Sequence, residues 1–179
     1  MIFLSHAWKI DELGRDNHQR VVLFARALEN IGWCVWLDDD QIHGHVDSCV
    51  ARGIDKSCAV LFFLTKAFFE RVDDPAKIAS CSNCLNEWTY AINRRKVAIP
   101  VIMEPSLRDV LCWPSGIVTM RLASSVYIDG SQDSSAHEAA TAVSMELLRR
   151  GISMHPPIRR SLTWKTRRVR GRRRKTVRV

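Results

Sequence analysis

Residues 80–88 read SCSNCLNEW, with Cys81 and Cys84 separated by two residues, Glu87 three positions on and Trp88 beside it. A close thiol pair can clip a metal, exchange electrons, or pack as small apolar groups next to a working carboxylate. Structural zinc needs four ligands. No second cysteine pair stands at finger spacing, and His43 and His45 are distant in the chain. A thioredoxin-like pair would precede the first helix of a different fold. Cys84 is better explained as a small apolar helix residue, which leaves Glu87. At 100° per residue, Leu85, Trp88 and Ile92 cluster on one helical face, with Cys84 and Ala91 beside them and Glu87 at the edge. A carboxylate there can stand at the rim of a cleft. The simpler alternative is a solvated acid favoured by the first turn of its helix.

Three other places carry chemistry-bearing side chains. Ser5, His6 and Trp8 follow a short apolar run at the N-terminus. His6 and Trp8 could line a nucleotide pocket, with Trp8 offering a stacking face; otherwise Trp8 packs on its loop and His6 is exposed. Gly44 lets its loop turn or come close to a ligand or partner, and a plain turn glycine is the simpler reading. Asp38, Asp39 and Asp40 lack further oxygen ligands at loop spacing, so no metal site is expected.

These residues need a scaffold, and the apolar pattern specifies one. Short runs at 2–5, 33–37, 59–64 and 97–103 read as strands, with Pro100 making the last less regular. Helical spacing covers Asn17–Ile31, opened by Asp16 with Gln19 and stopped by Gly32. Val46, Cys49, Val50 and Ile54 mark a second helix, weakened by Gly53. A long loop from Lys66 to Cys81 leads to a third helix over 84–95. A fifth strand falls at 117–122 or 126–128. Ser135 with Glu138 opens a last helix that Gly151 ends.

Strands alternating with helices predict a parallel sheet covered on both faces. With five strands and right-handed crossovers, the leading topology is flavodoxin-like, order 2-1-3-4-5. Ligands in such sheets bind off the carboxyl ends of the first and third strands. Here that means the residues after Ser5 and after Leu64.

Composition narrows the class further. The net charge of +8 is uneven, because residues 158–179 hold 11 basic residues and no acid. The rest has 16 basic against 19 acidic residues, a mildly acidic domain over 1–157 with a polybasic tail. The tail reads as disordered and drawn to nucleic acid or anionic membrane, or as a nuclear localisation signal through RGRRRK. The longest apolar run, at 58–64, is far short of the ~20 residues a membrane helix needs. With no secretory signal read, the thiols are expected to be reduced and the protein cytoplasmic, with the nucleus open to it through the tail. Cys34, Cys49 and Cys58 sit in apolar segments and read as small hydrophobes.

Several segments together resemble TIR (Toll/interleukin-1 receptor homology) domains. IFLSHAW is similar to their first strand. LDDDQIHGHVDSCVARGIDKSCAVLFFLT looks like their second strand end, BB loop, second helix and third strand, matching at Asp38, Gly44, Val46, Val50, Ile54 and Ser57. CLNEW resembles the Cys-x-x-Glu helix start, and VAIPVIME the fourth strand. The likeness covers roughly residues 1–150. Its departures are Asn83 where plant-type members have Trp, Trp88 where many have Leu, and His43 in place of the BB-loop proline.

The resemblance implies one of two modes. Many such domains signal by assembling with other TIR domains, here chiefly through the loop around 42–46. A subset cleaves NAD+ at the nicotinamide–ribose bond, with a catalytic glutamate at the position of Glu87. In that mode NAD+ is the substrate, no cofactor or metal is needed, and Ser5, His6, Trp8, Gly44, Cys84 and Trp88 are the expected substrate pocket. One acid suffices, because nicotinamide leaves a cation as a neutral group and takes no proton.

Overall fold

The computed structural model describes residues 1–37, 46–73, 83–132 and 136–154, with the side chains of Val46 and Asp47 outside that description. Asp38, Asp39, Asp40, His43, Gly44, His45, Cys81, Ser135 and the basic tail therefore lie outside the described residues.

The strands are β1 (Ile2–His6), β2 (Val35–Trp36), β3 (Ala59–Leu64), β4 (Val97–Ile102) and β5 (Ile128–Asp129). The helices are α1 (Asn17–Ile31), α2 (Val46–Lys56), α3 (Lys66–Asp73), α4 (Asn83–Asn93), α5 (Ile117–Leu122) and α6 (Ala136–Arg149), with 3-10 turns at Pro105–Leu107 and Val110–Cys112. All five strands run parallel in the order β2-β1-β3-β4-β5. This is the flavodoxin-like topology the apolar pattern predicts.

The central strands are buried on both faces, as their unbroken apolar runs require. One face sets Ile2, Leu4, Leu61 and Phe63 against Val21, Phe24 and Leu28 of α1 and Val143 and Leu147 of α6. The other sets Phe3, Val60, Phe62 and Leu64 against Ile54, Phe68, Phe69 and Trp88 from α2, α3 and α4. The pleat divides β1 cleanly, with even residues facing α1 and α6 and Phe3 facing α2 to α5.

Helix ends follow their predicted chemistry where it is local. The Asp16 carboxylate accepts from the Gln19 amide at 3.2 Å, and Gly32 closes α1 at φ 109°, in the left-handed region. Gly53 has a packing reason: a Cβ there would lie 2.7 Å from the Trp36 ring.

Several expectations change, and the choice left open for the fifth strand is decided. Lys66–Asp73 is a helix, not loop, so Glu87 rides the fourth helix rather than the third. Thr65 caps it through the Phe68 amide at 3.1 Å, and Phe68, Phe69 and Val72 bury its inner face. Of the two candidates for the fifth strand, 117–122 is helical and Ile128–Asp129 forms the strand. β4 pairs with β3 without a break through Pro100, and β5 reaches only Val101 and Ile102, so the proline falls outside that second pairing. Cys34 is exposed and Cys58 only partly buried, so Cys49 alone of the three is a core thiol. The described cysteines are all free thiols.

Candidate functional site

The carboxyl end of β1 is where the two helical layers meet. Its last two residues serve different layers because their side chains alternate. Ser5 is fully buried on the α4 side, and its hydroxyl donates to Glu87 Oε2 at 2.6 Å. His6 turns to the α1 side, where its Nε2 lies 2.8 Å from His18 Nδ1. One of those two nitrogens carries the shared proton and the other accepts it. The backbone carbonyl of His6 accepts from the Cys84 thiol at 3.3 Å.

Cys84 and Glu87 are three apart on α4, so they share the face that meets β1. Both make side-chain hydrogen bonds to successive β1 residues, which pins the first turn of α4 to the strand end. Glu87 is only 5% exposed. It is therefore not the rim residue its place at the edge of the stripe predicts, because β1 closes over it. Trp88 packs against Phe62, ring centroids 4.9 Å apart, inside the core.

Trp8 lies beyond the strand and is about half exposed. One face of its indole stacks on the His18 ring at 3.8 Å and 19°. His6 is buried rather than exposed, and stacks against His18 at 5.0 Å. The structure thus brings Ser5, His6, Cys84 and Glu87 together, with Trp8 joined through His18. Gly44 lies outside the described residues.

Sequence reasoning missed His18. Its signal is helical: it stands in the first turn of α1, one residue past the buried Asn17, and so faces the strand end. It also missed a polar frame around the same sheet edge. Asp11 Oδ2 accepts from Arg15 Nε at 2.7 Å and from Arg20 at 3.0 Å. Those arginines donate onward to the carbonyls of Met103, Gly130 and Ser131. Glu104, buried at the end of β4, accepts from the amides of Glu12 at 3.0 Å and Lys66 at 2.7 Å. Burial pushes the Glu104 carboxyl above its ordinary range, against those two amides. Hydrogen bonds from the Lys66 ammonium and from Ser106 hold Glu12 down at about 2. The loops after β1, β3 and β4 are thereby tied to one another.

A cavity of about 300 Å³ opens beside this frame, lined by Arg15, Arg20, Leu23, Phe24 and Gln132 among others. It lies on the α1 and α6 side of the sheet, away from Glu87. Among the described residues, no group of three or more His, Cys, Asp or Glu is arranged to hold a metal ion. No described helix is long and apolar enough to cross a membrane.

The sheet order defines a doubly wound α/β domain of flavodoxin-like topology. The family model described as TIR domain matches residues 2–144, and the chain belongs to the TIR domain family. Among solved structures, it is similar to the TIR domain of the Toll-related receptor TRR-2 from Hydra magnipapillata. The two are 15% identical, with a TM-score of 0.50 over 84% of this chain and 96% of the other. At that identity the likeness concerns the fold. Curated proteins give no match.

Proposed function

We propose that this TIR domain cleaves NAD+ at the nicotinamide–ribose bond, with Glu87 as the catalytic carboxylate and self-association through other copies completing the site. The observation that carries the reading is the direction of one side chain. Glu87 points to the carboxyl end of β1, bonded to Ser5, and not to bulk solvent. That end adjoins β3, where ligands of doubly wound sheets bind.

In the cleavage, the C1′–N bond breaks and its electron pair leaves with nicotinamide, which departs neutral. The ribose carries the positive charge. An ionised carboxylate beside C1′ stabilises that charge or bonds to the sugar, and water then attacks C1′ and releases a proton. Trp8 offers an exposed ring face for stacking, and His6 with His18 lines the other side of the strand end. No metal or cofactor enters this scheme.

Incubating the purified chain at high concentration with NAD+ and following free nicotinamide tests it. Release is expected, and Glu87→Gln should abolish it in a folded protein. No release, or equal release by the variant, overturns the reading.

A second reading has its own support. Glu87 is buried and its Oε2 is engaged by Ser5, as suits a structural tie. On that reading the domain is a non-catalytic adaptor acting by homotypic TIR contacts around 42–46. Replacing Gly44 with a bulky residue should then abolish partner capture, while Glu87→Gln leaves signalling intact. For the basic tail we propose a phosphate-rich partner, nucleic acid or anionic membrane. Deleting 158–179 should remove salt-sensitive binding to nucleic acid or to anionic vesicles.

A further inference from the structure

We propose that Ser5 is a positioning residue for Glu87: its hydroxyl fixes one oxygen of the carboxylate and does not itself meet the substrate. This rests on the reading of Glu87 as the catalytic group. Three observations carry it. Ser5 is fully buried, so it has no surface to offer a ligand. A serine hydroxyl has one proton to give, and Ser5 gives it to Glu87 Oε2 at 2.6 Å. Ser5 also lies on the central strand β1, in register with Phe62 of β3 and two residues past the last pair β1 makes with β2. The donor therefore stands on a strand held to β3 by backbone pairing.

The helix side of the contact is fixed as well. The Cys84 thiol holds the first turn of α4 to the His6 carbonyl. A glutamate side chain has three rotatable bonds to order. Here the backbone at its base and one oxygen at its tip are both tied to β1. A hydroxyl donating to a carboxylate favours its ionised form, the form that can face a ribosyl cation. Among the described residues, the titratable groups next to the pair include His6 on β1, Cys84 on α4, and His18 of α1 through His6.

Substrate contact and positioning leave different signatures. A residue that binds substrate in the ground state changes KM, whereas one that orders the carboxylate changes kcat and the carboxyl's own titration. The test uses the full chain labelled with carboxyl-13C glutamate, the Glu87 resonance being the one absent from Glu87→Gln. In Ser5→Ala the midpoint of that resonance should rise by about one to two pH units, and Ser5→Thr should restore it. Nicotinamide release by Ser5→Ala should lose about tenfold or more in kcat, with KM within about twofold.

An unmoved midpoint overturns the proposal whatever the chain does to NAD+. A raised KM with unchanged kcat also overturns it, and makes Ser5 a substrate contact. A moved midpoint in a chain that releases no nicotinamide sinks the catalytic reading instead, and leaves the hydroxyl–carboxylate tie standing. If Ser5→Ala does not fold, the wild-type chain still decides. Deuterating the hydroxyl should shift the Glu87 carboxyl-carbon signal, and no isotope shift rejects the contact.

Discussion

Removing the Asp11 carboxylate should destabilise the domain more than any surface ion pair could. Its side chain is fully buried, and those of Arg15 and Arg20 are 16% and 11% exposed. Oδ2 accepts from both guanidinium groups, while Oδ1 accepts from the amides of Leu13 and Arg15 at 2.9 Å each. Asp11→Ala takes this carboxylate from two partly dehydrated cations and two loop amides at once. Breaking a buried pair from one side costs about 3–5 kcal/mol. For a chain of this size each kcal/mol moves the melting temperature by ~2–4 °C, so a fall of roughly 6–20 °C is expected. An exposed pair is worth at most ~1 kcal/mol and would move it only a few degrees. Thermal unfolding followed by circular dichroism at neutral pH separates the two cases. The fall should persist at high salt, since buried pairs are screened little. A drop below about 4 °C, or one that salt erases, refutes the claim that this cluster holds the loops together.

The acid limb of stability follows from two other carboxylates. Glu12 is held at about 2 by Lys66 and Ser106, and Glu146 at about 2 by Arg149 and Arg150, both below the usual 4.5. Their contribution is fully present above the ordinary glutamate range and drains away as pH falls from about 4.5 to about 2. Glu104, raised by burial, has the opposite sign and loses its contribution as pH rises. Urea midpoints measured between neutral pH and pH 2 should therefore fall in that window, and a flat profile excludes the assignment. Gly53→Ala should lower stability despite alanine's helix preference of ~1 kcal/mol, because overpacking against Trp36 costs about 1–3 kcal/mol. A variant that melts at or above wild type shows the ring can move aside. Trp8→Ala should leave the melting temperature nearly unchanged, the ring being half exposed, but raise KM for NAD+. An unchanged KM removes Trp8 from the site.

What the sequence made legible was what neighbouring residues decide together. α1 could be read to the residue because Asp16 and Gly32 act within one turn of its ends. α3 was legible in principle, since Thr65 caps it and Phe68, Phe69 and Val72 repeat at helical spacing, yet its shortness let it pass as loop. α5 was not. Its first amides, of Ile117 and Val118, are accepted by Asp73 from 44 and 45 residues away, and Gly116 leaves room for that carboxylate. Nothing local distinguishes IVTMRL from a strand. The site divides in the same way. Helical counting gave the face of Glu87, but not its burial, because the group that covers it stands 82 residues earlier. Glu104 escaped notice because its partners, the amides of Glu12 and Lys66, come from separate loops, whereas the partners of Asp11 all stand within nine residues of it.

The Cys-x-x-Glu spacing now has a physical reason that neither metal nor redox chemistry supplies. About one helical turn separates Cys84 from Glu87, and Ser5 and His6 are adjacent on the strand. The match lets the thiol bond a backbone carbonyl while the carboxylate takes a hydroxyl. Because side chains alternate along β1, the same two strand residues also send His6 to His18 on the far layer. A shift of β1 by one residue would exchange Ser5 and His6 between layers, and put an imidazole where Glu87 now takes a hydroxyl. Register is what holds this arrangement, and the pairing of β1 with β3 from Ile2 to His6 fixes it. The carboxylate's bond to Ser5 is therefore set by the register of the sheet.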